Sequence, residues 1–360
     1  MPIDLQRAAY SVLLPAFSGL ELTDAMRRYL ERGGVSILLG ETRDEYLARN
    51  MSFERRRSET HAHFSHIAEQ AAALTGVPVL VAVDQELGGI QRLHRLVPGM
   101  PSAAALKELT GEEIEARSYE MASAARVMGV NLFLAPIVDV VNGANPWLHN
   151  RNLGSDPDEV SRIACAFIRG VQRAGVIATA KHFPGHHQTE HDPAVNEATV
   201  PGSLTDLEDG LQVFRQVIAT GVQAIMPGPA VFPALDEQQS ASTSQKVIGL
   251  LRDELGFDGL IISDDLDAVS ILRGNSLAET AVASLRAGAH LLLVSSEAGL
   301  AELAAAIVEA VEQGRLAQDA LLRAAQKVRD LAQTSRAQVD SGLYVSYPIS
   351  GGHLTRRVVR

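Results

Sequence analysis

Apolar residues fall in eight short runs, each followed by a longer stretch whose apolar positions recur every three or four residues. The runs are SVLLPAF (11–17), VSILLG (35–40), VPVLVAVD (77–84), NLFLAP (131–136), VIATAKHF (176–183), VQAIMPG (222–228), GLIISDD (259–265) and AHLLLVSS (289–296). They are mostly apolar throughout rather than alternating, the pattern of parallel strands covered on both faces. Stretches such as HAHFSHIAEQAAALTG, SRIACAFIRGVQRAG and LAETAVASLRAGA read as helices, and several end in Gly, a common helix stop. Alternation of this kind predicts an α/β fold, a (β/α)8 TIM barrel, with a doubly wound open sheet as the runner-up. No GxGxxG follows an early strand, so nothing supports a dinucleotide site. Segment 300–333 reads as terminal helices packed on the barrel, giving a domain over 1–335 and an irregular tail over 336–360.

Composition narrows the function classes. A chain of 360 residues suits one such barrel, and 46% hydrophobic residues can fill its core. No apolar run approaches the roughly 18 residues of a membrane span. The net charge of −11 argues against a nucleic-acid or anionic-membrane partner. A single cysteine, Cys165, excludes an intramolecular disulfide and a cysteine-rich zinc site. The amino terminus lacks the basic stretch and apolar core of a secretory signal, so the expected location is cytoplasmic. The oligomeric state stays open.

Barrel enzymes build their sites at the carboxyl ends of the strands, and four of the runs place polar groups there. Asp84 and Glu86 follow one, Lys181 and His182 end another, and Asp264 and Asp265 close GLIISDD. The loop ANPWLHNRNLGSDP adds Arg151, with Trp147 available for packing or for stacking on a sugar. Each of these alone is a capping or ion-pair residue. Together, at one mouth, they suit recognition of a polyhydroxylated ligand, with one carboxylate free to act as nucleophile.

The stretch LLRDELGFDGLIISDDLDA resembles the active-site signature of glycoside hydrolase family 3. VAVDQELGGIQRL, RNLGSDPDEV and KHFPGHHQTEHD resemble, in the same order, motifs of its single-domain β-N-acetylhexosaminidases. The likeness covers most of residues 10–335. It implies a TIM barrel, a retaining mechanism, a small glycoside or amino-sugar substrate, and no metal or other cofactor. Residue by residue, it implies Asp264 as nucleophile with Asp265 in support, and Asp84, Arg92, Arg151, Lys181 and His182 as sugar-binding positions.

Two departures matter. In that family the KHFPGH block runs into a loop ending Asp-x-His, whose histidine is the general acid and base. Here the register gives Asp192, Pro193, Ala194, and a methyl group transfers no proton. His191 backed by Asp192 is the expected local substitute, with His187 and Glu190 behind it. Loss of acid–base help removes about 10²–10⁴ in rate. At 226–229 the relatives read Met-Thr-Ala-His, whereas this chain has Pro229 in the histidine's place, which implies a reshaped pocket floor. The rival readings are transfer to phosphate or another acceptor, and a degenerate barrel that binds a sugar without turning it over. His182, His186, His187, His191 and Asp192 also suggest a metal. Pro184, Gly185 and Pro193 break that segment into a loop and no HExxH is present, so no metal is expected and His186 is read as a structural hydrogen-bonder.

Overall fold

The computed structural model describes residues 4–340, with side chains through 335. All eight expected runs carry strands: β1 (Leu13–Phe17), β2 (Ser36–Leu39), β3 (Leu80–Val83), β4 (Leu132–Phe133), β5 (Ile177–Phe183), β6 (Ala224–Pro227), β7 (Leu260–Ile261) and β8 (Leu292–Ser295). They form one curled parallel sheet in the order β8-β1-β2-β3-β4-β5-β6-β7. The chain therefore steps to the next strand each time, and β8 returns beside β1, with Leu13 opposite Leu292. At the other edge a parallel bridge joins Ile262, just past β7, to Leu291, just before β8.

Lack of alternation in the sequence reflects two apolar faces. Leu14, Leu38, Leu80, Ala82, Leu132 and Ile177 belong to one buried cluster, which also takes in Val328 and Ala332 of the final helix. Their strand neighbours Leu13, Ile37, Leu39, Val81, Val83 and Phe133 belong to a second and larger cluster, shared with the surrounding helices. Adjacent strand residues point to opposite faces, so a run apolar at every position fits a sheet buried on both.

Helix ends follow local chemistry. Thr42 with Glu45, Thr110 with Glu113 and Ser276 with Glu279 form reciprocal capping boxes. In SDPDEV, Asp156 caps the helix Pro157–Arg173 and Pro157 occupies its first turn, where no backbone donor is needed. Gly76 and Gly288 close their helices in the left-handed region, as the sequence pattern suggests. One boundary needs correction. The last helix, Gln318–Asp340, runs past residue 335 because nothing in SRAQVD breaks it, so the start of the expected irregular tail is helical. Residues 341–360 lie outside the described residues. No described helix is long and apolar enough to cross a membrane.

Candidate active site

One cleft of about 1200 Å³ opens where the strands end. All eight strand ends reach it: Phe17 from β1, Glu41 after β2, Asp84 after β3, Leu134 after β4, Lys181 and His182 from β5, Met226 from β6, Asp264 after β7 and Ser295 from β8. This is the carboxyl face, where loops can vary without disturbing the sheet.

At its base lies a ladder of buried charges. Lys181 Nζ donates to Asp84 Oδ1 at 2.8 Å and meets Glu86 Oε1 at 3.0 Å. Arg151 grips Glu86 through Nη2 at 2.7 Å and Nε at 3.1 Å. Burial pushes the Glu86 carboxyl up, but Arg151 and Lys181 outweigh it and hold the group ionised, well below the usual carboxylate range. A Cβ at Gly89 would collide with Glu86 Oε2, so only glycine admits the carboxylate here. The Arg151 guanidinium also lies 5.4 Å over the Trp147 ring.

A second assembly fixes His182. Its Nδ1 lies 2.8 Å from Asp139 Oδ2, and its backbone N–H donates to the same oxygen at 3.2 Å. The His186 backbone N–H donates to Asp139 Oδ1 at 2.6 Å. Asp139 is fully buried; burial raises its pKa, and the surrounding histidines and N–H groups more than reverse that. Burial lowers the His182 pKa against the pull of Asp139, and its Nε2 lies toward Asp264. Trp147 packs on the His182 ring at 4.5 Å between centroids and donates from Nε1 to the Tyr46 hydroxyl. His186 is fully buried beside Gly228, where a Cβ would strike its ring. Its backbone, not its ring, makes the hydrogen bond: neither ring nitrogen has a hydrogen-bond partner, so the expected side-chain hydrogen-bonder is a packed ring instead.

Asp264 stands opposite His182. Its backbone N–H donates to Ser242 Oγ at 3.0 Å, and Ser242 in turn donates to the Pro227 carbonyl at 2.9 Å. Oδ1 accepts from the Asp265 N–H at 2.8 Å. Oδ2 has no hydrogen-bond partner and sits 4.0 Å from His182 Nε2. Asp265 also lines the cleft, and burial beside Asp267 and Asp264 pushes its carboxyl up to about 7.

Of the expected residues, Asp84, Arg151, Lys181, His182 and Asp264 converge on this cleft, and Ala194 and Pro229 line it as the two departures implied. Three placements differ from expectation. Arg92 does not line the cleft. It is fully buried, paired with Glu59 at 2.7 and 2.8 Å, donates to the Gly40 carbonyl at 2.7 Å, and so braces the start of the β2 loop. His191 is exposed and outside the cleft lining, and among the described residues no hydrogen bond joins it to Asp192. Asp192 instead holds the turn, accepting from the Ala194 N–H at 2.9 Å, and approaches Arg49 at 3.8 Å. His187 and Glu190 are likewise absent from the lining. Sequence reasoning missed Glu41, Tyr46 and Asp139. Glu41 bears the same sign as Asp84, a carboxylate just past an apolar run; Asp139 was masked by the apolar residues around it.

The sequence pattern described as "Glycosyl hydrolase family 3 N terminal domain" matches residues 17–331. The chain belongs to glycosyl hydrolase family 3. It is 31% identical to the beta-hexosaminidase of Nitrosomonas eutropha over 290 residues, which cover 77% of this chain and 82% of that one. Identity to the beta-hexosaminidase of Xylella fastidiosa is 33% over 279 residues, 72% of this chain and 83% of the relative. In three dimensions it is similar to a family 3 beta-N-acetylglucosaminidase from Paenibacillus sp. str. FPU-7, with a TM-score of 0.83 and 30% identity. That match covers 98% of this chain and 66% of the Paenibacillus chain, so this glycoside hydrolase spans just under two thirds of that relative's length.

Proposed function

We propose that this family 3 glycoside hydrolase removes terminal β-linked N-acetylglucosamine-type residues by double displacement through a glycosyl-Asp264 ester. The observation that carries the reading is the cleft-lining Asp264 carboxylate, its Oδ2 without a hydrogen-bond partner and its Oδ1 held by the next amide. An ionised carboxylate so fixed can attack the anomeric carbon and offset the oxocarbenium-like charge as the glycosidic bond breaks. Asp84, Lys181 and Arg151 orient the sugar through charge-assisted hydrogen bonds, and His182 adds a hydrogen bond from its ring. The scheme takes the curled sheet as a closed (β/α)8 barrel and the cytosol as its place of action.

Ala194 lines the cleft with a methyl group, so the departing oxygen leaves with little protonation and water is poorly activated in the second step. The same feature favours transfer to phosphate or another anionic acceptor as a second reading, since such an acceptor needs no base. Neither scheme calls on a metal.

The test is Asp264→Asn against 4-nitrophenyl N-acetyl-β-glucosaminide. A neutral amide cannot form the ester, so turnover is expected to fall at least about 10³-fold while the thermal midpoint stays near that of the wild type. Activity within a few-fold of wild type contradicts the assignment.

A further inference from the structure

Among the described residues, Glu41 is a cleft-lining acid with no ion pair. It follows β2, lines the cleft, and its Oε2 is buried with no hydrogen-bond partner. The buried cations of this region are taken by other acids. Lys181 is held by Asp84 and Glu86, Arg151 by Glu86, and Arg92 by Glu59. Glu59 and Glu45 share Arg55. Arg43, two residues on, acts on Asp265. Among the five carboxyl groups Glu41, Glu45, Glu59, Asp84 and Glu86 and the four cations Arg55, Arg92, Arg151 and Lys181, one acid is left without a pair, and it is Glu41.

We infer that Glu41 recognises an ammonium group on the sugar, so that the preferred substrates are glycosides whose terminal residue carries a free amine on the side of the ring facing Asp84 and Lys181. The inference rests on the reading of the cleft as a sugar site and narrows the substrate to residues that keep a free amine, in place of or beside the N-acetyl group. Without a ligand, burial and the charges of Asp84 and Glu86 raise the Glu41 carboxyl to about 8, so at neutral pH it holds a proton. A neutral sugar leaves it so. An ammonium placed against the Glu41 carboxyl supplies the missing counter-charge, Glu41 ionises, and its proton passes to solvent. One proton leaves, and one charge-assisted hydrogen bond forms.

The experiment titrates wild type and Glu41→Gln by calorimetry with glucose, N-acetylglucosamine and the four monoamino-monodeoxyglucoses bearing the amine at C2, C3, C4 or C6. At least one amino sugar is expected to bind wild type about tenfold or more tighter than glucose, with the ratio near one in Glu41→Gln. Wild type alone gives a second readout. Titrations in two buffers of different ionisation enthalpy should show proton release with that amino sugar and none with glucose. Neutral sugars binding with no preference for any amine, a preference undiminished in Glu41→Gln, or binding without proton release overturns the inference and leaves the sugar-cleft reading standing. Failure of every sugar to bind overturns both.

Discussion

Glu41 and Asp139 are both buried carboxyls beside the cleft, yet their surroundings drive them in opposite directions. Glu41 has its pKa raised from 4.5 to about 8, so its contribution to stability is fully present below its ordinary pKa and is lost as pH rises through about 8. Glu41→Gln removes that titration. Thermal midpoints followed by circular dichroism should therefore shift in favour of the variant as pH rises from about 5 to about 9, by on the order of 1 kcal/mol per pH unit in the rising part. A gap that stays constant or narrows contradicts the buried, unpartnered placement. Asp139 has the reverse balance, since its histidine and N–H partners hold it ionised. In Asp139→Asn the amide would turn a donor toward N–H groups that need an acceptor. Urea unfolding should show a loss of about 3 kcal/mol, and activity should fall because His182 loses its anchor. A variant as stable as wild type would show that the trio is not the brace described.

At the scale of elements, the loop after β5 decides how the reaction proceeds. Its turn is set by Asp192, which accepts from Ala194 N–H, and His191 is left outside the cleft. The dependence of rate on leaving-group pKa, measured with a graded series of aryl glycosides, should consequently be steep in wild type and unchanged in His191→Ala. Ala194→His should flatten it, raising rates on poor leaving groups by about 10²–10⁴-fold. A flat wild-type dependence made steep by His191→Ala would show that the loop moves to bring His191 in.

Across the whole molecule, what was legible in the sequence is what local pattern encodes. Eight runs apolar at every position mark a sheet buried on both faces, and each strand lies where its run does. Asp84, Lys181, His182 and Asp264 were legible because polar residues ending apolar runs must sit at a strand mouth. Arg92 was not, because sequence cannot say that Glu59, thirty-three residues away, neutralises it under the loop. His191 was misplaced for a related reason. Spacing puts it beside Asp192, but the turn that Asp192 itself holds points it elsewhere. Asp139 draws its role from His182 and His186, partners more than forty residues off.

The central claim, a covalent route through Asp264 without a histidine at 194, is met most directly by intact-mass measurement. The protein is mixed with 4-nitrophenyl N-acetyl-β-glucosaminide and quenched within the first turnovers. Formation of the ester is helped by the good leaving group, while its hydrolysis lacks a base, so the glycosyl adduct should accumulate. Peptide mapping should place the adduct on Asp264, azide should discharge it, and Asp264→Asn should never show it. Turnover of the aryl glycoside with no adduct in wild type or Ala194→His, and with Asp264→Asn as active as wild type, would contradict the account.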